Sequence, residues 1–162
     1  LQVPALGELV IFNRSYYEAV LVERVHGLIP GPVWSARYGE INAFEEMLTR
    51  AGTVILKFFL NVSRAEQKKR LEAREADPEK RWKANPDDWE ERKRWKAYRT
   101  AFGDMLSKTS TAAAPWFVVP ADHKWYRNLV VARTLVARLR PFRAEWERAI
   151  RERGRAAGRK KR

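Results

Sequence analysis

The chain has 162 residues, 45% hydrophobic and 33% charged, with a mean hydropathy of −0.57. That suffices for one domain with a core and not comfortably for two, and no apolar run approaches the ~18 residues of a membrane span. Lys and Arg number 33 against 20 Asp and Glu, a net charge of +13, and the absence of cysteine excludes disulfide scaffolds, thiolate zinc sites and cysteine nucleophiles.

The opening LQVPALGELV lacks the basic start of a signal peptide. The first residue is Leu rather than Met, as expected of a fragment or a processed form. Gly7 reads as a turn and Glu8–Phe12 as a short strand. Ser15 and Glu18 form a capping-box pattern, which predicts a helix from Tyr16 to about His26, stopped by Gly27. Apolar residues at Trp34, Tyr38, Ile41, Phe44 and Leu48 make a second helical stripe, with Gly52 as its stop. Residues 53–62 (TVILKFFLNV) read as a strand buried on both faces, the kind found in parallel sheets. Lys57 stands out in that run and is expected to snorkel to the sheet end.

Ser63 and Glu66 repeat the capping box, so the second strand also feeds a helix. Asp77 and Pro78 interrupt that helix. A basic loop follows, then a helix capped by Asp87 or Asp88 with the stripe Trp95, Tyr98, Phe102, Met105 and Leu106. Two charged helices flanking a basic loop predict a projecting hairpin. Residues 116–119 form a third strand, and Asp122 caps a last helix that ends at Pro141. Strands alternating with helices argue an α/β layer with a parallel sheet. Three strands leave one edge bare, which agrees with missing N-terminal strands. The tail, residues 143–162, holds 9 basic and 3 acidic residues and is expected to be disordered.

The basic balance points to an anionic partner: nucleic acid, nucleotides, an anionic membrane surface or an inorganic polyanion. Residues 64–99 carry 13 basic and 9 acidic residues, a second concentration of positive charge. The two histidines lack carboxylates at metal-ligand spacing, and neither a G-x-S-x-G elbow nor a G-x-x-x-x-G-K-[ST] loop occurs. What remains is a set of cations at loop–helix junctions. Asn13 and Arg14 follow a predicted strand at a helix N-terminus, where α/β proteins bind ligands and where anions are favoured. Arg14 either holds phosphate there or pairs with a carboxylate such as Glu18. Lys80, Arg81 and Lys83 surround Trp82: either an exposed basic turn, or a lid that closes cations over a polyphosphate.

The strings FNRSYYE, DPEKRWK and ADHKWYRN, in order between about Pro4 and Pro141, resemble the family-2 polyphosphate kinases. The resemblance implies a P-loop kinase-like α/β fold, a three-layer parallel sheet with a helical lid, over residues 1–142, with the lid at about 64–107. It also implies Mg-dependent phosphoryl transfer between inorganic polyphosphate and nucleoside mono- or diphosphates in the cytoplasm. It places Asn13 beside the metal and Arg14 on phosphate. Many members carry Asp where this chain has Asn13, and a neutral amide holds a cation less strongly, so Asn13 is expected to act through water. Arg24 matches an arginine near the phosphates, and Arg14, Arg24 and Arg81 are the expected catalytic cations. Arg74, Lys80, Arg81, Lys83 and Asp88 fall in the lid, where the cations would grip phosphates. The family's glycine-rich Walker A loop does not occur in these 162 residues, so the chain by itself is expected to be inactive. A homo-oligomer is compatible with this picture, and no membrane partner is expected. The alternative, suggested by the charge and the RKKR end, is a nucleic-acid- or polyanion-binding module.

Overall fold

Two five-residue strands, β1 (Lys57–Asn61) and β2 (Trp116–Pro120), pair in parallel with Lys57 opposite Trp116 and Asn61 opposite Pro120. The computed structural model describes residues 3–5 and 7–159. A 3-10 turn (Tyr16–Val20) and the short helix α1 (Val22–Val25) precede the 20-residue α2 (Gly31–Arg50). Between the strands lie α3 (Arg64–Ala76), α4 (Asp87–Lys93) and α5 (Trp95–Thr109). After β2 come α6 (Lys124–Leu139), a 3-10 turn (Arg140–Phe142) and α7 (Arg143–Arg159).

The local signals act largely as their chemistry demands. Ser63 accepts a hydrogen bond from the Glu66 amide (3.1 Å) and so starts α3. Ser15 caps the first turn more weakly, through the Tyr17 amide (3.4 Å). Gly27 (φ 65°) and Gly52 (φ 91°) stop the first two helical stretches in the left-handed region that glycine adopts without strain. Pro32 sits in the first turn of α2, where a missing amide donor costs nothing. The predicted stripes then meet: Tyr17, Val20 and Leu21 pack with Tyr38 and Ile41 of α2 and with Ala101 and Met105 of α5.

Several expectations give way. Residues 8–12 form no strand, and Ile11 is 83% exposed. The apolar content is right for a strand, but no described strand lies beside it to take up its backbone groups. The sheet therefore has two strands rather than three. The second strand shrinks from residues 53–62 to Lys57–Asn61, because only five residues of β2 are there to pair with it. The helix expected over residues 16–26 divides into a 3-10 turn and α1.

Neither predicted aspartate cap acts on its own helix. The Asn85 side chain accepts from the Asp87 amide at the start of α4. Asp122 turns to the Ser63 amide across the sheet, leaving α6 without a side-chain cap. The stretch expected to be disordered from residue 143 is helical through Arg159, where Glu147 pairs with Arg143 and Arg151 at i±4 spacing. The final three residues lie outside the described ones.

Candidate active site at the strand ends and the basic hairpin

Parallel strands deliver both carboxyl ends to one edge of the sheet, the edge where α/β folds hold ligands. Here β1 runs into α3 and β2 into α6, so two helix N-termini flank a cleft lined by Ser63, Glu66, Lys69, Asp122 and His123. The cleft is braced from within. Asp122 Oδ1 accepts from the Ser63 amide (2.7 Å), and that hydrogen bond, reinforced by the Ser63 side chain, holds the carboxyl below its usual range. Arg70 donates to the carbonyls of Ala121 (2.7 Å) and Asp122 (2.9 Å) and pairs with Glu66 (2.8 Å). The Ala121 amide reaches the Asn61 carbonyl (3.0 Å), which extends the tie between the strands by one residue.

The basic hairpin follows on α3. Asp77 ends that helix and bonds Lys80, whose ammonium holds the Asp77 carboxyl below the usual carboxylate range. A 3-10 turn (Arg81–Lys83) then presents the predicted lid residues. Trp82 is 78% exposed, with the Lys83 ammonium 4.8 Å from its ring centroid. Arg81 is exposed and donates from Nε to the Glu75 carbonyl (3.2 Å). The structure thus gathers Lys80, Arg81 and Lys83 at one tip. Arg74 and Asp88, expected on the ligand, meet each other instead (3.0 Å) and tie α3 to α4.

Arg14 has a φ of 69°, the sole non-glycine residue with a positive φ among those described. A side chain in that region is strained by about 1 kcal/mol or more, and such strain concentrates where a loop serves a ligand. Arg14 forms no ion pair with Glu18 or any other described carboxylate, and Asn13 beside it is exposed. Arg24 is differently placed. Its guanidinium lies 4.2 Å from the Trp34 ring and donates to Tyr38 Oη (3.0 Å) and Asp104 (2.7 Å). No hydrogen bond or ion pair joins Arg14 to residues 80–83 among the described residues. No cluster of three His, Cys, Asp or Glu side chains suited to a metal occurs among the described residues. Asn13 alone, a neutral single donor, does not make a magnesium site.

Two arrangements escape the sequence reading. Lys57 does not snorkel: it is buried at the foot of β1 and donates to Glu45 Oε2 (2.6 Å), Tyr17 Oη (2.9 Å) and the Thr109 carbonyl (2.7 Å). Tyr16 and Tyr17 both donate to Glu45 Oε1 (2.6 and 2.8 Å). Burial drives the lysine pKa down against the pull of Glu45, and drives both phenols well above their usual range. A lysine inside an apolar strand was the available signal, and Glu45, one helical turn after Ile41 on the apolar stripe, was its partner. The second arrangement joins α1 to the hairpin. His26 lies 2.9 Å from Glu91, and Tyr98 donates to Glu91 (2.6 Å), which holds the Glu91 carboxyl below its usual range.

Residues 1–145 match the family model described as Polyphosphate kinase 2. An AMP/ADP-polyphosphate phosphotransferase from Meiothermus ruber is 53% identical over 138 residues, 85% of this chain and 52% of that protein. A polyphosphate:AMP phosphotransferase from Pseudomonas syringae is 47% identical over 134 residues, 83% of this chain and 27% of its own length. The chain thus spans about half of the first relative and a quarter of the second. The crystal structure of polyphosphate kinase 2 from Arthrobacter aurescens TC1 superposes with a TM-score of 0.85 at 48% identity, covering 87% of this chain and 50% of that one. With its strand-end cleft, its basic hairpin and a match that runs from residue 1 to residue 145, this chain belongs to the polyphosphate kinase 2 family.

Proposed function

We propose that this chain is the hairpin-bearing part of a phosphotransferase that moves phosphoryl groups between inorganic polyphosphate and nucleoside mono- or diphosphates in the cytoplasm. The observation that carries the reading is the tip at residues 80–83, three cations around an exposed indole, in a chain 53% identical to an AMP/ADP-polyphosphate phosphotransferase. Phosphoryl transfer asks little covalent chemistry of a protein. It asks for cations fixed where charge develops, in a space from which water is kept out.

Arg14 and Arg81 supply the fork that fits two phosphate oxygens at once, and Lys80 and Lys83 add point charge. Arg24 and Arg74 act from behind: each keeps its carboxylate partner and has further N–H groups to offer. Asp88 sets the position of Arg74. Arg14 is exposed, and its positive φ keeps the backbone there out of the helical register that begins at Tyr16. Magnesium is the metal this chemistry calls for in the intact protein, where substrate phosphates contribute ligands.

The 162 residues by themselves contain no glycine-rich phosphate loop and are expected to turn over poorly or not at all. The test is nucleotide phosphorylation from polyphosphate with AMP or ADP as acceptor. It is run on the intact protein and on this chain alone. Turnover by the first and not the second is expected. No phosphorylated nucleotide from the intact protein overturns the reading, and robust turnover by the isolated chain overturns its inactivity.

A further inference from the structure

Glu91 stands where the basic hairpin meets the rest of the molecule. α4 ends at Lys93, Arg94 forms a one-residue joint, and α5 starts at Trp95. Glu91 lies three residues before the joint and Tyr98 four after it, and the Tyr98 hydroxyl donates to Glu91 Oε2 across it (2.6 Å). His26, at the end of α1, closes on the same carboxylate. Its Nε2 lies 2.9 Å from Oε1, 3.1 Å from Oε2 and 3.4 Å from the Tyr98 hydroxyl.

The two sides of this contact are anchored differently. The Tyr98 ring lies 6.2 Å from Phe102, which lies 4.8 Å from Phe59 of β1. The Arg24–Asp104 ion pair (2.7 Å) ties α1 to α5, and Val25 packs against the core. His26 and Tyr98 therefore belong to the body of the fold. α4 belongs to the hairpin: Asp88 pairs with Arg74, Trp89 donates to Glu75, and Arg92 donates to the Arg64 carbonyl (2.8 Å) and to Gln67 (2.7 Å), all on α3. Among the described residues, Glu91 is the one side chain of α4 with a hydrogen bond or ion pair outside α3 and α4.

The angle at Arg94 is thus set by three side chains from three helices. α4 is a rod of seven residues, about 10 Å long, and the turn that carries Arg81 and Lys83 lies just upstream of it. A change of angle at the joint is carried along this rod to the tip. Cations stabilise a developing anion only where they are fixed in advance, and a displacement of about 1 Å can cost a hundredfold in rate.

We propose that His26, Glu91 and Tyr98 are positioning residues: they clamp the α4–α5 joint and so fix where the cations of residues 80–83 stand over the phosphates. They act through Arg81 rather than on the substrate. The proposal rests on the reading of the tip as the part that grips phosphate. A clamp that merely stabilised the fold would lower activity to the same extent whether or not Arg81 was present.

The test is a double-mutant cycle in the intact protein, read as kcat/KM for nucleotide phosphorylation from polyphosphate, with hydrogen exchange measured by mass spectrometry on the same variants. His26→Ala and Glu91→Ala should each lower kcat/KM about tenfold where Arg81 is present, and less than about twofold further once Arg81→Ala has been made. Amides of residues 87–98 should exchange about tenfold faster in both variants, with those of α2 unchanged. Equal losses with and without Arg81 overturn the proposal. So do unchanged exchange at residues 87–98 and faster exchange that includes α2. A wild-type rate in Arg81→Ala, or no turnover by the intact protein, brings down the reading of the tip and this proposal with it. A loss in Arg81→Ala beside full rates in His26→Ala and Glu91→Ala brings down this proposal alone.

Discussion

At the foot of the sheet, a lysine and a glutamate are shut away from water among two tyrosines and a carbonyl; at the tip of the hairpin, three cations stand in solvent around one tryptophan. Both regions are rich in charge, and they use it oppositely. In the first, each polar atom has its partner within the protein, and the charge fixes how α2, β1, α5 and the Tyr16–Val20 turn meet. In the second, cations exceed the carboxylates beside them, and that surplus awaits an anion from outside. Positive charge alone therefore does not mark a site; positive charge in excess of its internal partners does.

The sharpest way to break this contrast is Glu45→Ala. It strands the Lys57 ammonium and removes the acceptor of the buried Tyr17 phenol and the half-buried Tyr16 phenol, and should cost about 3–5 kcal/mol in urea unfolding. Replacing the pair together, Glu45→Met with Lys57→Met, should cost far less, because no uncompensated charge is left behind. Equal losses in both variants would show that the pair is not coupled.

Arg81→Ala in the intact protein should lower kcat/KM for polyphosphate-driven phosphorylation about a hundredfold or more, with the melting temperature unchanged. Arg14→Ala should act likewise, and wild-type rates in both would remove the site assignment. A smaller effect is set by pH. The folded pKa of Asp122 is depressed, so its contribution to stability is full above the unfolded value of 3.8 and is lost as pH falls below it. Asp122→Asn should flatten that part of the stability–pH curve. The smallest effect is expected of Arg74→Ala: its partially exposed pair with Asp88 is worth at most about 1 kcal/mol of stability. A large loss of turnover in this variant, with stability kept, would move Arg74 from support to direct phosphate contact.

Legibility followed the range of the interactions. Ser63, Gly27 and Gly52 act within one turn of chain, and the sequence shows them directly. The helical stripes of α2 and α5 were legible too, since period and burial are linked along a single element. Residues 8–12 read as a strand because their composition is that of one, but a strand is a relation between two segments. Asp122 read as a cap because it precedes a helix, yet the Ser63 amide, 59 positions away, is the donor it meets.

By itself the amino-acid order determined the α/β class, the helical stripes of α2 and α5, the start of α3, the concentration of cations at residues 80–83 and the resemblance that the family match bears out. Only the tertiary structure decided which charges are spoken for: Lys57 by Glu45, Arg24 by Asp104, Arg74 by Asp88. A charge's role depends on what lies within a few ångströms of it, and across a fold that neighbourhood is assembled from segments far apart in the chain.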